Sequence, residues 1–231
     1  MKKIIPVLVT VFLMSSLIQV NAQEDYKPFR FGLHASPSIT WIKPDVQEYE
    51  SDGTKIGFSY GLIADFNMSR NYSLSTGIDI SYFGGKTTYQ DSLRPYDFTP
   101  RDSIGTIKSN YSLQYLHIPL MIKMSTNEIG YFTYFANVGL GTAIRLGTSA
   151  EDEHNETTKT RDDLSDDVAF FRESLIIGLG AEYSIAEDVS IIGSFNFNNG
   201  FTTTIKRGNF HFEKNGNAIA NYLEFKFGII F

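Results

Sequence analysis

Residues 29–41 read FRFGLHASPSITW. Phe29, Phe31, Leu33, Ala35, Pro37, Ile39 and Trp41 fall on one parity; Arg30, Gly32, His34, Ser36, Ser38 and Thr40 fall on the other. A period of two describes a strand with one apolar and one polar side. Which side meets water decides the fold, and the rest of the chain supplies the answer.

The same alternation recurs along the chain. Ile56, Phe58, Tyr60, Leu62, Ala64 and Phe66 alternate with small or polar residues, as do Tyr72, Leu74, Thr76, Ile78, Ile80 and Tyr82. Further strands are expected at about 111–124, 131–146, 171–185 and 189–198, and from Leu223 to Phe231. Connections between them alternate in length: 42–55 long, 67–71 short, 84–110 long, 125–130 short, 147–170 long, 186–188 short, 199–218 long. A membrane barrel has this rhythm, with short periplasmic turns, long extracellular loops and an even number of strands.

The expected fold is therefore all-β: an eight-stranded antiparallel up-and-down transmembrane β-barrel in the cell outer membrane. Strands of about ten to fifteen residues are long enough to cross at a tilt near 45°. Phe29, Trp41, Phe66, Tyr72, Tyr82, Phe132 and Phe171 sit near strand ends on the apolar parity, where two interfacial girdles belong. A soluble lipocalin-like barrel would hide the apolar side and expose Arg30, Asp65, Asp79, Glu182 and Glu224, which fits only part of the pattern.

Residues 1–22 are set aside as a signal peptide. Lys2 and Lys3 precede an apolar run, and Val20-Asn21-Ala22 offers small residues for cleavage before Gln23. One domain, 23–231, remains. Its formation removes two positive charges from a chain already at −6. That balance argues against nucleic acid, whose phosphates are met by basic groups. There is no cysteine, so neither disulfides nor thiolate metal sites are available. No cofactor is expected. The mean hydropathy of −0.15 is compatible with strands apolar on one side only.

Turning the apolar parity to lipid sends Arg30, Lys123, Arg145, Arg172 and Lys226 inward, with Asp65, Asp79, Glu182 and Glu224. A barrel of this size has an interior filled by side chains, and charges buried there must pair. A salt-bridged plug is expected. Gly32, Gly57, Gly61, Gly77, Gly139, Gly141, Gly178 and Gly180 share the inward parity, making room for long neighbours and for curvature.

Catalysis finds little support. His34 and His117 point inward, His154 and His211 fall in loops, and no serine motif accompanies them. The segment EDEHNETTKTRDDLSDD, 151–167, reads as a solvated acidic loop, without the glycine of a calcium loop. Asp91-Ser92-Leu93 and Asp102-Ser103-Ile104 match a short Asp-Ser/Thr-aliphatic O-glycosylation pattern at Ser92 and Ser103.

QYLHIPLMIKM at 114–124 resembles the Tyr-Leu-x-Ile-Pro-Leu-x-x-Lys block of the PorT-like outer-membrane β-barrel proteins, matched at Tyr115, Leu116, Ile118, Pro119, Leu120 and Lys123. FRFGLHASPSITW, NVGLGTAIRLG and the aromatic terminus add to the likeness. It implies the same fold and location, a link to type IX protein secretion, and no catalytic residues. Pro119 lacks a ladder donor and suits an irregular strand; the muddier parity at Tyr111 to Gln114 suggests a bulge nearby.

The function expected is structural or interactive rather than enzymatic. The barrel would act through its loops or periplasmic side on other envelope or secretion proteins, with outer-membrane lipid around it. Phe231 is expected to be the signal read by the barrel-assembly machinery. The alternative is a lumen-based carrier of lipid or a small ligand, or an outer-membrane lipid enzyme.

Overall fold

The structure, a computed structural model, describes residues 27–45, 49–93, 98, 103–162, 164–208 and 215–231. The expected signal peptide, the cleavage before Gln23, Asp102 and His211 lie outside them. The described residues form eleven strands: β1 (Phe29–Pro44), β2 (Tyr49–Ser51), β3 (Lys55–Asn67), β4 (Tyr72–Ser92), β5 (Ile104–Ser125), β6 (Phe132–His154), β7 (Thr157–Asp162), β8 (Phe171–Ala186), β9 (Val189–Gly200), β10 (Ile205–Gly208) and β11 (Asn215–Ile230).

Eight of them, β1, β3, β4, β5, β6, β8, β9 and β11, pair antiparallel in chain order, and β1 pairs with β11 to close the ring. Closure leaves no unpaired edge in the membrane, where an unpaired backbone would be costly. The registers fix the geometry. Stepping between partners from Trp41 passes Asn221, Asn199, Leu175, Leu140, Leu120, Thr76 and Ala64, and returns to β1 at Phe31, ten residues lower. With a rise of about 3.3 Å per residue and strands about 4.8 Å apart, that stagger tilts the strands by about 40°. The backbone radius is then about 8 Å, which leaves room for side chains and little else.

The apolar band has two aromatic borders. At the short-turn end Phe29 meets Phe66 at 5.1 Å, Phe31 meets Phe231 at 5.5 Å, and Phe132 meets Tyr183 at 4.9 Å between ring centres. At the other end Trp41 lies against Phe197 at 6.2 Å, and Phe170 against Phe171 at 4.8 Å. Phe31 and Trp41 stand about 25 Å apart along the axis, the height of such a band.

Three strands are longer than their membrane crossing requires. β4, β5 and β6 have 21, 22 and 23 residues, so the expected long loops are partly sheet. β5 explains why. Its odd residues face inward throughout. Outward residues are Lys108, Asn110, Ser112 and Gln114 above, then Leu116, Ile118, Leu120, Ile122 and Met124 below. The inward side does the reverse: Ile107, Tyr111, Leu113 and Tyr115 above, His117 and Lys123 below. One strand exchanges its apolar face where lipid gives way to water, and this crossing is the muddy parity seen at Tyr111 to Gln114.

A register shift does lie there, between Gln114 and Tyr115, with Leu146 of β6 as the extra residue. Pro119 keeps register with Gly141 on β6. On its other side the β4–β5 ladder has no partners for Gly77 and Ile78, because Pro119 has no N–H to give.

The acidic loop reading of 151–167 is corrected. β6 continues to His154, turns at Asn155 and Glu156 with φ of 45° and 64°, and returns as β7. Two positive φ angles are what a two-residue hairpin requires. The bulge at Leu146 reverses parity beyond it, so Ala150 and Asp152 face inward. Asp152 is fully buried and accepts bonds from Ser109 Oγ and the Arg161 guanidinium. His154 belongs to this hairpin, its Nδ1 2.8 Å from Thr106 O. Ser92 and Ser103 lie at the β4–β5 tip, both half-buried, beside the buried Leu93.

Candidate functional site

The lumen is the candidate site, and its lowest layer is ionic. Lys123 of β5 donates to Asp65 of β3 at 2.7 Å and to Glu182 of β8. Arg30 of β1 reaches the other oxygen of Glu182 at 2.7 Å. Ser75 Oγ donates to the remaining oxygen of Asp65 at 2.6 Å, and the Lys123 ammonium stands 4.6 Å from the Phe135 ring centre. Four of the nine expected residues thus form one network. Lone buried charges would be expensive, and here each has a partner of opposite sign.

Above it sits a chain that spacing did not reveal. His34 Nε2 is 2.6 Å from Asp79 Oδ1, and His34 Nδ1 is 3.0 Å from Ser36 Oγ. His117 Nδ1 approaches the second Asp79 oxygen at 3.5 Å. With Nε2–H donated to the carboxylate, Nδ1 accepts from the serine hydroxyl. Serine, histidine and aspartate are joined, but Ser36 is 0 % exposed, and a nucleophile needs room for its substrate. The chain cross-links β1, β4 and β5. Glu224, expected to meet a cation, instead accepts from Ser59 Oγ at 2.7 Å. Lys226 is buried and makes no ion-pair contact among the described residues.

The upper layer departs furthest from expectation. Arg172 is fully buried and has no carboxylate partner among the described residues. Its Nη2 donates to Asn198 Oδ1 at 2.7 Å and Ala220 O at 2.8 Å. Its guanidinium lies 5.2 Å from the Phe83 ring centre and 5.5 Å from that of Tyr222. Aromatic faces attract a desolvated cation. Arg145 likewise finds backbone: Nη1 donates to Ser165 O at 2.7 Å and to Val168 O. Ile42, Tyr111, Leu113, Tyr115 and Ile205 complete an apolar plug around Arg172. Ion pairs thus lie in the lower lumen, while hydrogen bonds and aromatic rings fill the upper one.

The family block divides by parity. Tyr115, Pro119 and Lys123 face inward; Leu116, Ile118 and Leu120 face lipid. Tyr115 donates its hydroxyl to Ala169 O at 2.6 Å. At the closing seam, Phe231 exchanges two backbone bonds with Phe31, at 2.7 and 3.2 Å.

A family model described as outer membrane protein beta-barrel domain matches residues 21–206. No curated protein matches the chain. Among solved structures, the chain is similar to neisserial surface protein A, with 10% identity over 87% of this chain and 95% of that one, at a TM-score of 0.45. It is similar to OprG from Pseudomonas aeruginosa, with 9% identity over 89% and 97%, at 0.49. It is also similar to the attachment invasion locus protein Ail of Yersinia pestis, with 13% identity over 89% and 100%, at 0.39. The family match spans most of the chain and coincides with a closed ring that turns its apolar parity outward. The chain belongs to the outer membrane protein beta-barrel domain family and is an integral β-barrel of the outer membrane.

Proposed function

We propose that this barrel is a non-conducting interaction protein that works through its two ends. One observation carries the reading: side chains cross the lumen at three successive levels. From the periplasmic end these are Arg30–Glu182–Lys123–Asp65, then His34–Asp79–His117, then Arg172 with Phe83 and Tyr222. An internal cavity beside Lys123, Asn137 and Lys226 measures about 20 Å³, enough for about one water. A carrier or a lipid enzyme needs far more. The ends are open surfaces: the β6–β7 hairpin outside, and a periplasmic cup of about 730 Å³ lined by Lys27, Arg70, Glu128 and Glu187 among others.

The likeness of Tyr115, Leu116, Ile118, Pro119, Leu120 and Lys123 to the PorT-like block supports placing the partners among secretion proteins of the envelope. In planar bilayers the protein is expected to stay at background conductance, with or without residues 155–162. Pull-down from detergent-solubilised envelopes should retain an envelope protein that is lost when that hairpin is trimmed or Glu128 and Glu187 are neutralised. A sustained channel, or a stoichiometric small molecule held in the lumen, would overturn the reading.

Phe231 serves assembly in this picture. Its ring covers Phe31 and its backbone closes the seam, and its aromatic side chain is what the assembly machinery reads. Deleting Phe231 is expected to lower heat-modifiable barrel severalfold, measured by gel mobility of outer-membrane fractions. Unchanged levels would remove Phe231 from that role.

A further inference from the structure

The ladder between β3 and β4 stops early. Its last pair is Phe58 with Tyr82, although β3 begins at Lys55 and β4 runs on to Ser92. Above that pair Thr40 of β1 bridges the two backbones from inside, its Oγ1 3.1 Å from Lys55 O and 2.8 Å from Gly84 O. The top of β3 stands on the outside of the wall, where Ile56 is 85 % exposed. Lys55 reaches past Gly84 to β5 and donates to Asn110 Oδ1 at 3.1 Å, Tyr111 O at 3.2 Å and Ser112 Oγ at 2.6 Å.

This leaves a groove of about 480 Å³ on the outer wall. Ile56, Phe58 and Tyr82 line it below; Ser112, Gln114 and Ser149 line it above. By strand tilt, Ile56 is within about 3 Å of the level of Trp41. The groove therefore spans the border at which outer-leaflet headgroups meet acyl chains.

Its charge is specific. The three acceptors of Lys55 are neutral oxygens. Glu151 stands nearby and is hydrogen-bonded by Asn110 Nδ2 at 3.3 Å, while Lys86 adds a second positive field. An anionic headgroup on Lys55 would replace one of these neutral acceptors with a charged one, and a hydrogen bond to a charged oxygen is the stronger.

We propose that this groove binds a phosphorylated lipid of the outer leaflet, its headgroup on Lys55 and an acyl chain over Phe58 and Tyr82. The lipid is a partner of the outer wall, separate from the filled lumen. Native mass spectrometry of the full chain, released from its own outer membrane in mild detergent, is the test. A phosphorylated-lipid adduct is expected on the wild type. Lys55→Gln should lower its occupancy about tenfold or more, the worth of a charge-assisted hydrogen bond. Ile56→Ser, at a position that is 85 % exposed, should weaken it as well. Lys43→Gln, on the outer face of β1, should leave it unchanged. Equal adducts on wild type, Lys55→Gln and Ile56→Ser would overturn the proposal. So would binding of inorganic phosphate alone, or a protein found in the groove instead of lipid.

Discussion

Replacing Lys123 by methionine is expected to destabilise the barrel by about 3–5 kcal/mol, the cost of breaking a buried ion pair on one side only. Lys123 is the shared cation of two acids, and its side chain is 5 % exposed. Without it Asp65 keeps only the Ser75 hydroxyl, and Glu182 keeps Arg30. Asp65 then holds an uncompensated charge inside a wall that lipid surrounds. Methionine retains the volume, so packing against Phe135 changes little. Trp41 is the sole tryptophan, and its fluorescence during urea unfolding in micelles reports on the barrel directly. The double variant Lys123→Met with Asp65→Asn should recover at least half of the loss, because the stranded charge is gone and Glu182 still meets Arg30. A loss below about 1 kcal/mol in the single variant is what a screened, water-exposed pair would give. That result would mean water reaches Lys123 freely, and the lower lumen could not be a plug.

The fold was legible because lipid imposes one rule on every strand that crosses it. Between the aromatic borders the outward parity must be apolar, so Phe29 to Trp41 and Phe171 to Ile185 announce themselves. Arg30, Asp65, Lys123 and Glu182 were legible as inward for the same reason. Their pairing was not, since it depends on a ten-residue stagger that parity alone does not contain. Above the border the rule inverts. Phe83, Tyr111, Leu113 and Tyr222 are apolar residues facing inward because water surrounds the wall there. Applying the membrane rule beyond its border shortened β4, β5 and β11 and hid the plug around Arg172. The bulge at Leu146 then reversed parity once more, so the buried Asp152 looked like one more solvated acid.

The second large effect is expected at Gly139, where curvature becomes contact. A β-carbon there would lie 2.1 Å from Leu120 O and 2.5 Å from Met121 Cα. Both are backbone atoms of β5, so no side-chain rotation relieves the clash; the two strands must part. Gly139→Val should therefore exceed the about 1–3 kcal/mol of ordinary overpacking and leave little heat-modifiable barrel. Two other glycines grade the argument. At Gly178 the same atom would meet the side-chain amides of Asn196 and Asn137, at 2.0 and 2.3 Å. Amides can turn away, so Gly178→Ala should cost less, through the hydrogen bond joining those two residues. At Gly193, on the outward parity of β9, nothing stands within 4 Å. Gly193→Ala should be neutral or gain up to about 1 kcal/mol, since glycine weakens a strand interior. The order Gly139→Val, Gly178→Ala, Gly193→Ala thus follows what each β-carbon meets: backbone, a movable amide, or lipid. Wild-type assembly of Gly139→Val would show that β5 and β6 can separate at this level. The tight inward coiling that brings Lys123 onto both its carboxylates would then have to be held by residues other than the glycines.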